Sequence, residues 1–274
     1  MNDFHKLNNR SLLCSPYLRY PPYTVKWWPT DTEEQFKENL KDNRLKIKLQ
    51  HYIDNPISYK INRFYCRVDD LDFNPTKPGN IFLGCSHTFG IGHHLENTWS
   101  YRLNKEIGGE YFNLSVPGTG IQHGYMRLLL NLPLLINVKN LFIYYPHHYR
   151  FMNVNEHVET LGVIFPHNVA ASILKDPNTY NQNYTSPLYT YIIYSAFLRA
   201  IDNICRKNNI DCYFLPSYPI VPFPDTSLIA RDTLHFSVAS QDAHFNAFLE
   251  AYNSKRVLNV EEDFKEHTTT LDSD

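Results

Sequence analysis

Three residues of this chain have the side-chain types of a nucleophile, a base and an orienting acid. Ser86 follows the apolar run 81–83 and Gly84, a pattern typical of a buried strand that ends in a turn. Asp232 and His235 are three residues apart, a spacing that places both side chains on one face of a helical turn. A carboxylate fixes the tautomer of a neighbouring imidazole, whose second nitrogen can then take a proton from a serine. The sequence therefore predicts Ser86 as nucleophile, His235 as base and Asp232 as orienting acid.

Each of these features also has a purely structural interpretation. A turn rich in glycine and serine is common without any chemistry, and an acid near a histidine also occurs in surface turns. Thr88 stands where the G-x-S-x-G nucleophile elbow needs its second glycine, so that motif is not present. The spacing of the acid and the histidine, taken together with the serine, favours the catalytic interpretation.

The elements that must position these residues alternate in type along the chain. Periodicity predicts strands at 80–85, 111–116, 140–145 and 211–215, and helices near 97–108, 119–136, 187–208 and 237–252. Alternating strands and helices imply right-handed crossovers and a parallel sheet covered by helices on both faces. Ligands of such sheets bind at the carboxyl edge of the strands, which is where Ser86 is expected.

The segment before the first of these strands is predicted to be an N-terminal extension, residues 1–78. Its first thirty residues predict irregular structure, and a single helix is predicted from 30 to 53, with Asp31 and Glu34 at capping-box spacing. Short strands are predicted at 57–61 and 63–68. The remaining parts are an α/β domain at 79–254, an aromatic and Asn-rich insertion in it at 151–187, and a mobile tail at 255–274.

The composition bounds the function classes. With 43% hydrophobic residues, 20% charged residues and a formal charge of -2 in 274 residues, the chain has the composition of a globular protein, and neither nucleic acid nor a membrane is an expected partner. Five widely spaced cysteines without a C-x-x-C pair predict neither a disulfide framework nor a zinc module. The first twenty residues lack the apolar core of a signal peptide. The expected location is cytoplasmic, with a virion or leaderless export as alternatives.

Histidines are frequent in the same segments, which raises the alternative of a metal site. They are His87, His93, His94, His123, His147, His148, His235 and His244. The adjacent pairs among them lack the i, i+4 spacing with which two imidazoles on a helix hold one zinc ion. No metal and no other cofactor is therefore expected, and most of these side chains are predicted to be polar pocket or surface groups.

Three sequence blocks occur in the order in which one hydrolase family carries them. They are Gly84-Cys85-Ser86-His87-Thr88-Phe89-Gly90, Asn113-Leu114-Ser115-Val116-Pro117-Gly118-Thr119-Gly120, and Asp232 with His235 in Asp-x-x-His. On these blocks the chain resembles the SGNH or GDSL hydrolase family from residue 57 to residue 252. It departs from the family in two places. Cys85 stands where the family has aspartate. The family also has a block that usually reads Gly-x-Asn-Asp, its third, before the final Asp-x-x-His, and this third block reads Tyr145-Pro146-His147-His148 here.

The resemblance implies a three-layer, flavodoxin-like α/β fold and a serine ester hydrolase. It implies an oxyanion hole formed by the backbone N–H groups of Ser86 and Gly118, with His147 as the expected third donor. The substrate that it favours is a small acyl group, such as acetyl, on a carbohydrate. Side chains expected to contact that substrate are His87, Tyr145, His148 and Arg150. Two alternatives remain, namely a binding or structural module without efficient hydrolysis, and an O-acyltransferase that uses the same serine.

Overall fold

The computed structural model describes a chain built around one parallel sheet. It describes residues 22–28, 31–69, 74–135, 137–145, 151–155, 160–164, 187–215, 229–235 and 237–258. Within these ranges the protein is a mixed α/β structure. Its helices flank a four-stranded sheet, and an additional unit of small helices and strands precedes that sheet.

The central sheet is parallel throughout. Its strands are β3 (Gly79–Gly84), β4 (Glu110–Asn113), β5 (Val138–Tyr144) and β8 (Asp211–Leu215), in the spatial order β4–β3–β5–β8. All six residues of β3 are buried, because both faces of a parallel sheet are covered. The rings of Phe82, Phe142 and Tyr213, on three neighbouring strands, stack at centroid distances of 5.2 and 5.0 Å. The predicted strands are confirmed, with shifted ends.

Five helices accompany the sheet in the described part of the chain. They are α3 (Ser86–Phe89), α4 (Trp99–Ile107), α5 (Ile121–Asn131), α6 (Pro187–Lys207) and α7 (Val238–Asn253). Helix α4 packs on α7, and α5 packs on α6. Trp99 of α4 stacks on Phe248 of α7 with ring centroids 4.5 Å apart. These pairs bury the apolar faces of the helices against the sheet, an arrangement compatible with three layers.

The N-terminal unit, residues 22–61, has an apolar cluster of its own. It contains β1 (Tyr23–Val25), α1 (Glu33–Asn39), α2 (Asn43–Asp54) and β2 (Tyr59–Ile61), and β1 pairs with β2 in antiparallel fashion. The cluster includes Trp28, Leu49 and Tyr59 and continues into Phe89 and Ile91, at the end of α3. The unit therefore packs directly against the turn that follows Ser86.

The prediction of one helix from 30 to 53 is wrong, since α1 and α2 are separated at residues 40–42. The cap of α1 is Thr32, whose hydroxyl accepts the N–H of Gln35 at 3.1 Å, and not Asp31 as the capping-box spacing suggested. Asp42 caps α2 in the same way. Asp42 can begin a new helix because its short carboxylate accepts N–H groups that have no partner within the helix.

The structure differs from the predicted strands at residues 63–68 and within the predicted insertion. Residues 63–68 form a turn and not a strand, because the side-chain oxygen of Asn62 accepts the N–H groups of Phe64 and Cys66, both at 3.0 Å. Within the predicted insertion, β6 (Phe151–Asn155) and β7 (Thr160–Ile164) form an antiparallel hairpin. The rest of the insertion, and residues 1–21 and 259–274 of the two terminal segments, lie outside the described residues.

Candidate active site

Ser86 lies at the carboxyl edge of the central sheet, where β3 turns into α3. A Cβ atom on Gly84 would lie 2.0 Å from Oγ1 of Thr88 and 2.6 Å from the carbonyl oxygen of Tyr144, so only glycine allows the strand to end this close to its neighbours. Cys85 is extended and its carbonyl accepts the N–H groups of Thr88 and Phe89, at 3.2 and 2.9 Å. Ser86 is therefore the first helical residue, with the sharp turn that the sequence predicted.

The turn after α3 is held by a buried arginine. Nη1 of Arg67 donates to the carbonyl oxygens of Phe89 and Gly90 at 2.8 and 2.5 Å, and its Nη2 donates to that of His93 at 2.5 Å. Arg67 is 1% exposed. A buried cation at the carboxyl end of a helix satisfies carbonyl groups that have no partner within the helix. Arg67 thus fixes the segment that leads from Ser86 to Gly92.

Asp232 and His235 form the acid–histidine pair that the spacing predicted. Nδ1 of His235 lies 2.5 Å from Oδ2 of Asp232, and the Asp232 side chain is fully buried while that of His235 is 12% exposed. An ionised carboxylate only accepts hydrogen bonds, so Nδ1 carries the proton and Nε2 retains its lone pair. Nε2 of His235 is the atom that can act as a base.

The pair is built on a turn and not on the helical turn that the spacing suggested. Oδ1 of Asp232 accepts the backbone N–H groups of Leu234 and His235, both at 3.1 Å. Thr233 between them has a φ of 61°, and α7 begins only after Ser237. The aspartate therefore folds the loop with one oxygen and orients the imidazole with the other.

The acid–histidine pair lies against the residue that follows the serine. The rings of His87 and His235 are 5.2 Å apart at their centroids, with an interplanar angle of 63°. Gln241 of α7 supports this contact, because its Nε2 lies 3.5 Å from the carbonyl oxygen of His87 and its Oε1 accepts the N–H of Trp99 at 2.9 Å. Sequence blocks at the two ends of the α/β domain are thereby brought together.

The hydroxyl of Ser86 is directed to its own neighbour. Oγ of Ser86 lies 4.0 Å from Sγ of Cys85, and within the described residues it makes no hydrogen bond to His235. Ser86 is 5% exposed and Cys85 is fully buried. The Ser–His hydrogen bond of a catalytic triad is often absent from unliganded structures and forms when substrate binds. Ser86 and His235 are thus not paired in the described structure, although the residue after Ser86 contacts His235.

The second block runs along β3 to the same edge of the sheet. The N–H groups of Leu114 and Val116 donate to the carbonyl oxygens of Phe82 and Gly84, at 2.9 and 3.1 Å. Gly118 is two residues beyond Val116, just as Ser86 is two residues beyond Gly84. It has a φ of 78°, and among the described residues a Cβ atom there would meet nothing within 4 Å. The part of the chain that the structure describes therefore does not crowd Gly118.

Asn113 joins the second block to α3. Its Nδ2 donates to the carbonyl oxygen of Thr88 at 3.2 Å and to the hydroxyl of Tyr111 at 2.6 Å, and its Oδ1 accepts the N–H of Ser115 at 3.1 Å. Asn113 is 1% exposed. The asparagine that begins the second block therefore connects the loop carrying Gly118 to the helix carrying Ser86.

Residues predicted for the third block fall partly outside the described chain. His147, His148 and Arg150 lie outside it, so the predicted oxyanion and substrate contacts of those residues stay predictions. Tyr145 is 1% exposed, and a Cβ atom on Gly124 would lie 2.2 Å from its hydroxyl. Burial raises the pKa of Tyr145 well above its ordinary value. This placement favours support of α5 over direct contact of Tyr145 with a substrate.

Of the other histidines predicted as pocket or surface groups, His94 and His123 are buried and His244 is half-buried. Burial lowers the pKa of His94 and of His244, and it lowers the pKa of His123 to about 3. Nδ1 of His244 also donates to the carbonyl oxygen of Ser240, at 2.5 Å. In the described part of the chain, no three side chains of His, Cys, Asp or Glu are grouped in a way that could hold a metal ion.

The residues that hold the acid–histidine loop were not recognised from the sequence. Arg231 donates to the carboxylate of Asp31, which Tyr59 also contacts. The position of Arg231 directly before Asp232 could have indicated that it holds this loop. Nothing along the chain identifies Asp31 as its partner. The contact joins positions 200 residues apart and depends on how the N-terminal unit packs.

Comparison with known proteins does not identify the chain. It matches no protein-family model, and no curated protein sequence is significantly similar to it. Over the ranges that the structure describes, no helix has both the length and the apolar character needed to span a bilayer.

Proposed function

We propose that the protein is a serine hydrolase that cleaves esters, with Ser86 as nucleophile, His235 as general base and Asp232 as the acid that orients His235. One observation carries the proposal. The imidazole that Asp232 holds through Nδ1 lies against His87, the residue next to a buried serine at the carboxyl end of a parallel strand. Such strand ends are where open α/β sheets bind ligands.

In the proposed mechanism, Nε2 of His235 takes the proton of the Ser86 hydroxyl as Oγ attacks the ester carbonyl carbon. Asp232 stabilises the imidazolium that forms. The backbone N–H groups of Ser86 and Gly118 stabilise the negative oxygen of the tetrahedral intermediate. His235 then returns the proton to the leaving alcohol, and a water molecule activated by His235 hydrolyses the acyl-Ser86 intermediate.

This mechanism requires the Ser86 hydroxyl to turn away from Cys85 toward His235. The position of Ser86 in the first turn of α3 favours the reaction. The N–H groups at the start of a helix have no partner within it and can face a developing oxyanion. In the strand order β4–β3–β5–β8, the strand that follows β3 in the chain lies beside it at the edge of the sheet. This order agrees with the flavodoxin-like arrangement of the family that the three blocks resemble. His147 remains the proposed third oxyanion donor.

The substrate class proposed is a small acyl ester of a carbohydrate, on the basis of the family resemblance alone. Among the described residues, none would lie within 4 Å of a Cβ atom at Gly118. Transfer of the acyl group to an alcohol instead of water would use the same residues. A binding module without hydrolysis is the competing function, and the contact of the Ser86 hydroxyl with Cys85, not with His235, is the observation in its favour.

The test is labelling of the purified full chain with a fluorophosphonate, together with hydrolysis of a short-chain aryl ester. Wild type is expected to label and to turn over, and Ser86→Ala is expected to lose both, with a rate lower by about a thousandfold or more. Ser195→Ala is the matched control, because the Ser195 hydroxyl donates back to the carbonyl oxygen of Tyr191 on its own helix α6, at 2.7 Å. Turnover that persists in Ser86→Ala contradicts the assignment of the nucleophile. Absence of labelling in wild type favours the binding module.

A further inference from the structure

The loop that carries Asp232 and His235 is held by the N-terminal unit. The hydroxyl of Tyr52 donates to the carbonyl oxygen of Ile229 at 2.8 Å, and Nδ2 of Asn39 lies 3.4 Å from the hydroxyl of Thr233. Between these two contacts, Arg231 binds Asp31. Residues on both sides of Asp232 are thus attached to the segment that precedes the α/β domain.

The central contact is a buried ion pair. Nε of Arg231 donates to both carboxylate oxygens of Asp31, at 2.9 and 3.1 Å, and Nη2 donates to Oδ2 at 2.6 Å. The Arg231 and Asp31 side chains are 1% and 0% exposed. Nη2 also donates to the carbonyl oxygen of Lys26 at 2.6 Å, and the guanidinium lies 4.0 Å from the ring centroid of Trp27. Such a geometry holds the guanidinium in one position.

Tyr59 connects the ion pair to Gly92 in a closed ring of hydrogen bonds. Its hydroxyl donates to Oδ2 of Asp31 at 2.5 Å and accepts the N–H of Gly92 at 2.8 Å, while the carbonyl oxygen of Gly92 accepts the N–H of Arg231 at 2.9 Å. Burial and the Asp31 carboxylate raise the pKa of Tyr59 well above its ordinary value, so its proton stays available for Asp31. The Asp31 network is defined here as Asp31, Tyr59, Gly92 and Arg231.

The network also reaches the acid itself. A Cβ atom on Gly92 would lie 3.2 Å from Oδ1 of Asp232, so the carboxylate leaves little room for a side chain at Gly92. Gly92 is part of the same turn that Arg67 holds after α3. One ring of hydrogen bonds therefore links the end of the serine helix to the residue before Asp232, and it sets the position of one relative to the other.

We infer that Asp31 and Tyr59 are positioning residues that act on the proposed reaction through Asp232 and His235. The inference rests on the proposed function for its kinetic consequence but not for its structural one. A misplacement of about 1 Å at a reacting group costs about a hundredfold in rate, and a site keeps its geometry only when the residues behind it are locked in place. The N-terminal unit is thus part of the catalytic apparatus.

Tyr59→Phe is the principal test, because it removes the hydroxyl and keeps the buried ring. The expected result is a kcat for ester hydrolysis lower by about tenfold to a hundredfold with little change in KM. The Nδ1 proton of His235, observed by NMR and assigned through its absence in His235→Gln, is expected to shift or broaden. Asp31→Asn is expected to have the same effects in a stronger form.

Two control variants separate positioning from a general loss of stability. Tyr213→Phe removes a buried hydroxyl that has no hydrogen-bond partner in the described part of the chain, and Leu198→Ala weakens the apolar core at α6. Both are expected to keep the wild-type kcat and the His235 resonance at temperatures where they are folded. Loss of the His235 resonance in Leu198→Ala as well would overturn the inference.

The structural readout distinguishes failure of the inference from failure of the proposed function. If wild type hydrolyses no ester, the proposed function fails, and the His235 resonance in Tyr59→Phe still decides the inference. If wild type is active and Tyr59→Phe retains both its kcat and an unchanged resonance, the positioning role is refuted. If Asp31→Asn does not fold, Tyr59→Phe alone decides between these outcomes.

Discussion

Arg231 donates through Nε and Nη2 to the carboxylate of Asp31, and the residue after it, Asp232, accepts the Nδ1 hydrogen of His235. A buried structural ion pair and a candidate catalytic pair are therefore adjacent in the chain. The first joins the N-terminal unit to the acid–histidine loop, and the second faces the helix of Ser86. The two aspartates have separate tasks, since Asp31 holds the loop and Asp232 holds the imidazole.

Asp232→Asn is expected to keep the fold and to remove most of the activity. The oxygen of the asparagine can still accept the N–H groups of Leu234 and His235, so the turn is retained. Its amide nitrogen would face Nδ1 of His235 and favour the tautomer with the hydrogen on Nε2, which cannot act as a base. The expected fall in kcat is about ten-thousandfold, measured by ester hydrolysis with circular dichroism as the control for folding. A variant as active as wild type would assign the orienting role to another residue.

Gly92→Ala and Gly118→Ala are a matched pair for backbone strain, because φ is 76° at Gly92 and 78° at Gly118. A Cβ atom at Gly92 would lie 2.9 Å from that of Ala230, whereas at Gly118 it would meet none of the described residues within 4 Å. The substitution at Gly118 is expected to cost about 1 kcal/mol of unfolding free energy from strain alone. At Gly92 the cost is expected to be about 3 kcal/mol, because overpacking is added.

Urea denaturation of the two glycine variants measures the difference directly. Equal losses of unfolding free energy would mean that the acid–histidine loop moves away from Gly92 without resistance, contrary to the contacts described for Arg231 and Asp232.

Asp31→Asn alone is expected to lower the free energy of unfolding by about 3–5 kcal/mol, because it leaves a buried guanidinium without its counter-charge. Adding Arg231→Met should recover part of this loss, since an apolar side chain can replace the charge. Recovery is expected to be incomplete because the carbonyl oxygen of Lys26 also loses its donor. A double-mutant cycle in urea measures the coupling, and strictly additive losses would show that the ion pair is not coupled.

The free energy of unfolding is expected to decrease as the pH is lowered, because buried histidines resist protonation. His123 is the clearest case. Burial lowers the pKa of His123 from 6.5 to about 3. The unfolded chain therefore binds a proton between these values that the folded chain excludes, and stability is lost as the pH falls below about 6.5. Between pH 7 and pH 5 this one group should cost wild type about 2 kcal/mol.

His123→Gln removes the titrating group and keeps a polar side chain of similar size. The free energy of unfolding of both proteins is measured in urea at pH 7 and at pH 5. Between these pH values wild type should lose about 2 kcal/mol more than His123→Gln does. Some pH dependence should remain in the variant, because burial lowers the pKa of His94 and His244 in the same direction. Parallel pH profiles for the two proteins would contradict burial of a neutral His123.

Features that depend on neighbours along the chain could be predicted from the sequence. The apolar run before Ser86 is a buried strand, and the three-residue spacing of Asp232 and His235 brings their side chains together. The same local logic predicted the core helices and strands with errors of a few residues at their ends. The local rule failed where two adjacent residues could act as the cap, since the spacing indicated Asp31 and the cap is Thr32.

By itself, the sequence determined the alternation of strands and helices, and it placed a serine, an aspartate and a histidine at strand ends and turns. Only the tertiary structure decided which residues hold them. The pairing of Asp31 with Arg231, the contact between His87 and His235, and the direction of the Ser86 hydroxyl toward Cys85 are long-range or packing-dependent relationships. Side-chain spacing cannot reveal them, because a buried ion pair forms only where packing of the whole chain excludes water from both partners.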